Sequence, residues 1–336
     1  MARSLATAAT LIGGAMVVSG LSAALLLLLA PRLPQATPGV RSLHDRPVPR
    51  IGGVAIWVGW LPAVALAPSG FGVAGWVWSV PWLALVLVSL RDDFHSVGVG
   101  LRLSVHAAAA IWLIAGFALT APLALPIGAP AMMLAGLLTA WALNLYNFMD
   151  GNDGLAALMT IVGFSAYGVG AAAGGASSTL FFALAAATVP FLWVNRPLAR
   201  MFMGDVGAVP LGFLAAAFGL AGIATHIWPA WFPVLVFLPF LMDATITLVR
   251  RVWGREKVWE AHRTHYYQRL NQLGLGHAGT LAVYGAWILG VAASAVICLI
   301  RAPEWGWAAL LVWLAAAAVF FLAIDYHWGM RSPSDR

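Results

Sequence analysis

Apolar runs long enough to cross a bilayer recur along most of this chain. About 20 consecutive apolar residues let a helix span the hydrocarbon core. The mean hydropathy is +0.89 over 336 residues, and 62% of the residues are hydrophobic whereas 9% are charged. A soluble domain cannot cover such a composition with a polar exterior. The sequence therefore predicts an integral membrane protein.

The runs are continuously apolar rather than alternating, which favours helices over the strands of a barrel. We predict an all-α integral membrane protein of about 11 transmembrane helices, forming a single polytopic membrane domain over 1–336. A cleaved signal peptide is the competing interpretation of 1–30, but that apolar stretch is long and Arg3 alone is a thin basic region. The predicted spans are 5–30, 52–67, 77–90, 103–119, 131–149, 156–173, 179–194, 209–223, 227–249, 280–300 and 307–324.

Basic residues collect on one side of this predicted bundle. Apart from Arg3 and Arg301, every Arg and Lys follows span 1, 3, 7 or 9 or lies in the C-terminal tail. The positive-inside rule makes that side cytoplasmic, with the N-terminus outside and the C-terminus inside. Because such residues ordinarily set topology and also suit anionic headgroups or phosphates, the net charge of +6 does not indicate a nucleic-acid partner.

Aspartates adjoin the apolar runs on this same side. An ionised group near hydrocarbon is costly unless it is paired, hydrated or bound to a metal, so each one is a functional hypothesis. Asp243, inside predicted span 9, is expected only to pair with a neighbouring helix or with Arg250. The others are Asp92, Asp93, Asp150, Asp153 and Asp205.

The adjacent pair Asp92 and Asp93 closes predicted span 3. Neighbouring carboxylates repel each other, which raises the proton affinity of one or favours a cation between them and a phosphate. A solvated helix end paired with Arg91 or Arg102 is the alternative interpretation. By itself this pair is weak support for a site.

The segment 144–155 is more specific. Helical spacing places Asn144, Asn147 and Asp150 on nearly one face, and two Asp-Gly steps allow tight turns close to a ligand. Asp153 could instead cap span 6. A cap explains only one of these polar residues, so we predict a binding site here.

The loop 195–208 carries a second polar motif. Asp205, flanked closely by glycines, is an accessible oxygen ligand suited to Mg²⁺ that shares its shell with water and phosphates. Phe202 could stack on a base. The alternative is a turn stabilised by Asp205, with Phe202 packed in the core.

Two further loops carry side chains suited to phosphate. His262, Arg263 and His265 could clamp a diphosphate, whereas a zinc site lacks a cysteine and a third nearby His. A surface loop that touches lipid headgroups is the alternative. Arg46 and Arg50 offer anion contacts in the first loop, although topology alone would also place arginines there.

Taken in order, these segments resemble the polyprenyl-phosphate N-acetylhexosamine-1-phosphate transferase family, glycosyltransferase family 4, over about residues 41–270. The segments around His44 and His262 look most like bacterial members that initiate O-antigen or related surface glycans. Departures from the family pattern are Ala208, where serine is usual, and Arg91, where an apolar or small residue is common. The motifs are Asp-Asp at 92–93, Asn-x-x-Asn-Phe-Met-Asp-Gly-x-Asp-Gly at 144–154, and Asn-Arg-Pro with Phe-Met-Gly-Asp-Val-Gly within 195–207.

The resemblance implies transfer of an N-acetylhexosamine 1-phosphate from a UDP-sugar to undecaprenyl phosphate, with release of UMP. It implies Mg²⁺ as cofactor, with Mn²⁺ as an alternative, at the cytoplasmic face of the bacterial inner membrane. Membrane lipids are expected partners, and the family allows a homodimer; the hexosamine stays open. With the residue analysis, it gives catalytic Asp92, Asp93 and Asp150; metal-binding Asp205 and Asn147; and substrate-binding Asn144, Asp153, Asn195, Phe202, His262, Arg263, His265, Arg46 and Arg50.

Two other functions are compatible with acidic residues beside a membrane. An ion-coupled secondary transporter would place ionisable groups near mid-bilayer, on broken helices related by a repeat. Here the acids lie at span ends on one side, in loops near 31–51, 91–102, 146–155, 195–208 and 250–279. CDP-alcohol phosphotransferases also use Asp-Gly steps, but the rest of their motif is missing.

Overall fold

The computed structural model describes residues 2–37, 46–67, 73–120, 128–257 and 262–330. His44, in the first predicted loop, and the basic tail 331–336 lie outside the described residues. The α-helices are α1 (Ala2–Leu28), α2 (Gly53–Leu66), α3 (Trp76–Phe94), α4 (Val99–Thr120), α5 (Ala129–Met149), α6 (Leu155–Ala173), α7 (Thr179–Asn195), α8 (Asp205–Ala224), α9 (Trp231–Val236), α10 (Leu238–Trp253), α11 (Tyr266–Leu270), α12 (Gly276–Arg301) and α13 (Gly306–Gly329).

Almost all of the described chain is helical, which confirms the predicted fold class. The strand structure within it is a short antiparallel pair, β1 (Gln35–Ala36) and β2 (Val48–Pro49), in which Gln35 lies opposite Pro49. In the described residues, 7 helical segments are long and apolar enough to cross a membrane, and α2 and α7 are shorter apolar helices. The protein is therefore a multi-pass membrane protein, whereas the count of eleven spans and the orientation stay predictions.

The predicted ninth span, 227–249, consists of two helices rather than one. Helix α9 ends at Val236, and Phe237 between the helices has φ −97° and ψ 12°. Pro239, at the start of α10, has no N–H to donate and clashes with the preceding turn. The continuous helix predicted from hydropathy is therefore interrupted at this proline.

The first helix is packed into the bundle. The hydroxyl of Ser19 donates a hydrogen bond to the carbonyl oxygen of Ala187 in α7, at 2.6 Å. A Cβ on Gly59 of α2 would lie 2.6 Å from the carbonyl oxygen of Ala15, so α1 and α2 are in backbone contact. The first predicted span is thus a helix packed against α2 and α7.

Helices α2 and α8 cross in close contact directly below the polar end of the bundle. A Cβ on Gly53 would overlap Gly207, so only glycine allows this approach. The indole nitrogen of Trp57 donates to the carbonyl oxygen of Val206 at 2.7 Å, and Trp57 packs edge-on against Trp82 of α3. The first turn of α8 is thus held on a rigid aromatic base.

Candidate active site

The first turn of α8 is fastened to the end of α3 by a buried carboxylate. Asp93 is 2% exposed, and its oxygens accept hydrogen bonds from the backbone N–H groups of Asp205, at 3.3 Å, and Val206, at 2.9 Å. A helix N-terminus favours such a carboxylate because its first amides lack helical partners. Gly204 precedes the helix with φ +74°, and a Cβ there would overlap the carbonyl oxygen of Arg50. This arrangement sets the position of Asp205.

Arg102, on the first turn of α4, joins two of the predicted site aspartates. Its Nη1 atom lies 2.8 Å from Oδ2 of Asp92 and 3.3 Å from Oδ2 of Asp205. From the sequence, Arg102 is expected only as the partner of a solvated helix end. The sequence feature that marks Arg102 is its position, ten residues after Asp92 and just before an apolar span. Sequence spacing alone could not show that it lies beside Asp205.

The predicted anion-binding arginines of the first loop hold backbone groups. Arg50 donates from Nη2 to the carbonyl oxygens of Asp93, at 3.0 Å, and Asp92, at 3.3 Å. Arg46 donates to the carbonyl oxygen of Leu198 at 3.0 Å. These bonds fasten the loop to the end of α3 and to the segment after α7, and the side chain of Arg50 remains 41% exposed.

Asp153 and Asn195 tie the start of α6 to the 195–204 loop. Asn195 accepts from the amide of Gly154 at 3.0 Å and donates to the carbonyl oxygen of Met201 at 2.9 Å. Asp153 accepts from the amide of Ala199 at 3.1 Å and does not cap α6, which begins after Gly154. Both side chains are buried and engaged with the backbone, while their predicted contact with a substrate stays a prediction.

The end of α5 brings amide groups to the same place. Asn144 and Asn147 lie on one helical face, as predicted, and Asp150 directly follows the last helical residue. With Arg102 and Asp205, the two asparagines border a cavity of about 40 Å³. The other residues that line this cavity are Leu85, Val88, Ser89, His106, Phe148 and Val209.

The carboxylates lie close enough to influence each other. Burial raises the pKa of Asp150 well above its ordinary value, and the negative charge of Asp205 raises it further. Burial also raises the pKa of Asp93 to about 7, although the hydrogen bond from Val206 opposes this shift. Both residues lie beyond the predicted apolar spans. Repulsion and burial therefore destabilise the ionised carboxylates of this cluster, and a bound cation would stabilise them.

A divalent cation fits this charge balance. Arg50 pairs with Asp93, and Arg102 pairs with Asp92 and Asp205. Because Asp150 lies near Asp93 and Asp205 as well, these four carboxylates outnumber the two guanidinium groups, and the fully ionised cluster lacks positive charge. Among the described residues, no group of three or more His, Cys, Asp or Glu side chains could hold a metal ion by itself. Mg²⁺ is compatible with this, because it usually binds one or two carboxylates plus substrate phosphates and water.

Within that cluster, Asp205 is the residue best placed to bind Mg²⁺. Its carboxylate is 27% exposed, against 3% for Asp93 and 12% for Asp92. Asn147, the predicted second ligand, borders the same cavity. The residues thus fit the predicted ion, and its binding stays a prediction.

The histidine loop, 262–265, contacts the end of α5 at Phe148. The ring of His265 lies 5.8 Å from that of Phe148 and stacks on His262 at 4.8 Å. The hydroxyl of Tyr267 donates to the carbonyl oxygen of Phe148 at 2.9 Å. His265 and Tyr267 thus lie next to the end of α5, and the partly buried Arg263 precedes them in the chain; the diphosphate clamp stays a prediction.

Asp243 organises this loop, a role that the sequence analysis did not assign to it. Its buried carboxylate faces Nδ1 of His265 at 3.2 Å and accepts hydrogen bonds from the amides of Tyr266 and Tyr267, both at 2.9 Å. The hydroxyl of Tyr284 on α12 also donates to it, which confirms the expected pairing with a neighbouring helix. Arg250, the other expected partner, instead pairs with Asp325.

His262 is placed as a neutral donor. Burial, reinforced by the charge of His265, lowers its pKa to about 4. The hydroxyl of Thr264 lies 2.9 Å from Nδ1 and its amide N–H donates weakly to the same atom. Nδ1 is then the acceptor, which leaves the proton on Nε2.

Comparisons with known proteins find similarity to transferases. Residues 76–223 match the family described as "Glycosyl transferase family 4". The chain is 24% identical to the "Probable undecaprenyl-phosphate N-acetylglucosaminyl 1-phosphate transferase" of Bacillus subtilis, over 85% of this chain and 81% of the relative. It is 27% identical to the "Decaprenyl-phosphate N-acetylglucosaminephosphotransferase" of Mycolicibacterium smegmatis, over 75% and 72%. It is 36% identical to the "Phospho-N-acetylmuramoyl-pentapeptide-transferase" of a Picosynechococcus species, over 57% and 54%.

Proposed function

We propose that this chain, of which residues 76–223 match glycosyl transferase family 4 and whose relatives are named as phospho-sugar transferases, transfers an N-acetylhexosamine 1-phosphate from a UDP-sugar to a polyprenyl phosphate. Undecaprenyl phosphate is the acceptor we propose, and UMP is the second product. UDP-N-acetylglucosamine is the first donor to test, since the names of two relatives contain that sugar. The single observation that carries the proposal is the meeting of Asp92, Asp93, Asp150 and Asp205 with two arginines at one end of the helices.

Such a site suits two reactants that approach from different phases. The acceptor is confined to the bilayer, whereas the donor is a soluble anion, so they must meet at a membrane face. The acidic cluster lies at the ends of α3, α5 and α8, next to apolar side chains such as Val88 and Val209. From the distribution of basic residues we propose that this is the cytoplasmic face of a bacterial inner membrane.

We propose a direct transfer. An acceptor phosphate oxygen forms a bond to the sugar-bearing phosphorus of the donor, and the P–O bond to the UMP phosphate breaks, leaving the bridging oxygen on UMP. Bound Mg²⁺, held by Asp205 and Asn147, would supply positive charge to the donor diphosphate. The acceptor phosphate needs little deprotonation near neutral pH, because its second pKa is about 6. Positioning of the two phosphates would then dominate the rate acceleration.

The hydrogen bonds of the aspartate pair support direct transfer over an aspartyl-phosphate intermediate. Both oxygens of Asp93 accept backbone amides, and those of Asp92 are bound by the amide of Val97 and by Arg102. Neither carboxylate is free to act as a nucleophile without losing these partners. Direct transfer predicts inversion at phosphorus with a chiral phosphate donor, whereas retention would indicate a double displacement.

The decisive assay is exchange of radiolabelled UMP into the UDP-sugar, tested for dependence on undecaprenyl phosphate and Mg²⁺. We expect Asp205→Asn to abolish exchange while the thermal stability of the protein changes little. Glu304→Gln, at an exposed site near the opposite end of the bundle by prediction, is the matched control and should exchange normally. Near-normal exchange in Asp205→Asn would remove this residue from the metal site.

A panel of UDP-sugar donors identifies the sugar that the protein transfers. We propose that the product starts a surface glycan of the O-antigen or cell-wall kind. UDP-N-acetylglucosamine, UDP-N-acetylgalactosamine and the corresponding 6-deoxy sugars should be compared in the same exchange assay. If none of them exchanged, the proposed reaction would be wrong.

A further inference from the structure

A buried histidine lies one helical turn beyond Arg102 on α4. His106 is 8% exposed, and its Nδ1 atom has no hydrogen-bond partner within the described ranges of the chain. A buried ring nitrogen without a partner costs free energy, so native structures rarely contain one unless a ligand or water satisfies it. The atom therefore indicates a partner that is not one of the described side chains.

The unpartnered histidine lines the cavity between α3, α4, α5 and α8. Arg102, Asn147 and Asp205 provide its polar wall, and Val88 and Val209 are among the apolar residues opposite. A volume of about 40 Å³ accommodates about three waters or one small oxyanion but not a sugar ring. Its occupant is therefore a small polar group that tolerates apolar surroundings on one side.

Helix α4, which lines the cavity through Arg102 and His106, also carries large exposed apolar side chains. On α4, Leu101 and Leu103 flank Arg102 and are 57% and 53% exposed, and Ile111 further along is 69% exposed. Large apolar side chains with this exposure are expected where a helix contacts acyl chains. A group attached to a hydrocarbon chain can thus reach the cavity from the bilayer without leaving the apolar phase.

The charges around the cavity favour an anionic group beside His106. Arg102 lies four residues earlier on the same helical face, and the side chains of both residues line this cavity. Asp205 also borders the cavity, but Arg102 pairs with its carboxylate at 3.3 Å. Guanidinium and imidazole N–H groups are matched donors for phosphate oxygens.

We propose that this cavity holds the phosphate of the polyprenyl phosphate acceptor and that His106 donates a hydrogen bond from Nδ1 to one of its oxygens. This inference rests on the proposed function and deepens it, because it gives the acceptor phosphate a binding residue of its own beside the proposed metal ligands Asp205 and Asn147. His106 is then a binding residue, selective for one of the two substrates.

Three variants in detergent-solubilised full-length protein test the inference. His106→Leu removes the donor with a small change of volume, and His106→Gln keeps a donor. Phe117→Leu is the matched control, because Phe117 is buried on the same helix, 11 residues further along. Binding of undecaprenyl phosphate, undecaprenol and inorganic phosphate is measured for each, together with the KM for acceptor and donor.

We expect His106→Leu to weaken the binding of undecaprenyl phosphate about tenfold, as loss of a hydrogen bond to a charged group does. Undecaprenol binding and the KM for the UDP-sugar should be unchanged, and His106→Gln should recover part of the loss. Inorganic phosphate should bind to wild type far more weakly than undecaprenyl phosphate, because it lacks the lipid chain that enters from the bilayer. An affinity for inorganic phosphate equal to that for the lipid would instead overturn the lipid assignment.

Two further outcomes separate this inference from the proposed function. Wild-type transfer with unaltered acceptor binding in His106→Leu, or an equal loss in Phe117→Leu, overturns the role of His106 and leaves the reaction intact. Binding of undecaprenyl phosphate that depends on His106, without transfer from any UDP-sugar, supports the cavity assignment while the proposed reaction fails.

Discussion

Asp93 at the end of α3 accepts a hydrogen bond from the backbone N–H of Asp205, and this bond determines where the proposed metal ligand lies. Removing the acceptor should therefore harm both stability and activity. We expect Asp93→Ala to lower the free energy of unfolding by about 1–3 kcal/mol, because the amides of Asp205 and Val206 lose their buried partner. Thermal unfolding in detergent measures this loss.

The same substitution should lower UMP exchange by about 10- to 100-fold, the usual effect of losing a group that orients a metal ligand. Asp93→Asn keeps one acceptor but turns an N–H₂ group toward the other amide, so it should fall between wild type and Asp93→Ala. A wild-type melting temperature in Asp93→Ala would contradict the anchoring role.

Arg102 should be replaceable only in part by lysine. The Nη1 atom of its guanidinium contacts Asp92 and Asp205 together, whereas the ammonium group of lysine ends one bond short of that position and does not share the planar geometry of a guanidinium. We expect Arg102→Lys to lose about tenfold in exchange rate and Arg102→Gln about a hundredfold. Arg91→Gln is the matched control, because Arg91 is exposed on the neighbouring helix and should tolerate the change. Equal rates in all three variants would remove Arg102 from the site.

Much of this site could be predicted because the motifs mark where helices end. Asn144, Asn147 and Asp150 lie at the end of α5 as their spacing predicts, and Asp205 begins α8 after a glycine. The reason is local: apolar periodicity and glycine positions determine helix termini within a few residues. The sequence therefore predicted which polar groups occupy one end of the helices.

Contacts between distant segments were harder to predict. Arg102 and Asp205 are 103 residues apart, and Asp243 contacts the loop at His265 only because α10 and α11 pack together. The sequence predicts that Asn195 and Arg46 contact a ligand, yet both also donate hydrogen bonds to backbone carbonyl oxygens. A polar side chain beside a motif serves binding or anchoring equally well on sequence grounds, and tertiary packing decides which.

Gly204 should be intolerant of any side chain, for two separable reasons. Its φ of +74° disfavours L-residues, and a Cβ there would also overlap the carbonyl oxygen of Arg50. Gly175 has φ +76° but nothing within 4 Å of a Cβ, so Gly175→Ala reports backbone strain alone. We expect Gly204→Ala to lower the melting temperature and exchange rate far more than Gly175→Ala. Equal effects would mean that the close approach is unimportant.

Asp243 should act through the histidine loop. Asp243→Asn turns a donor toward groups that already donate, among them the amides of Tyr266 and Tyr267. We expect a higher KM for the UDP-sugar and a loss of about 1–3 kcal/mol in stability for each unsatisfied buried group. Tyr284→Phe, which removes one donor and leaves an apolar ring, should cost about 1 kcal/mol with little change in KM. A KM equal to wild type in Asp243→Asn would show that this residue stabilises the fold without positioning the loop.

His262 should make the stability of the protein depend on pH below neutrality. Its pKa is lowered from 6.5 to about 4, chiefly by burial and then by the charge of His265. Between pH 6.5 and pH 4, His262 is protonated in the unfolded chain but remains neutral in the folded protein. The contribution of His262 to the free energy of unfolding is therefore complete above pH 6.5 and is lost as the pH falls toward 4. His262→Gln keeps a donor and an acceptor but cannot titrate. Melting temperatures of both proteins between pH 5 and pH 7, without ligand, should therefore converge as the pH falls, with wild type losing stability faster. Acidic groups common to both proteins cancel in this comparison, so parallel curves would mean that His262 is protonated as readily in the folded site as in the unfolded chain.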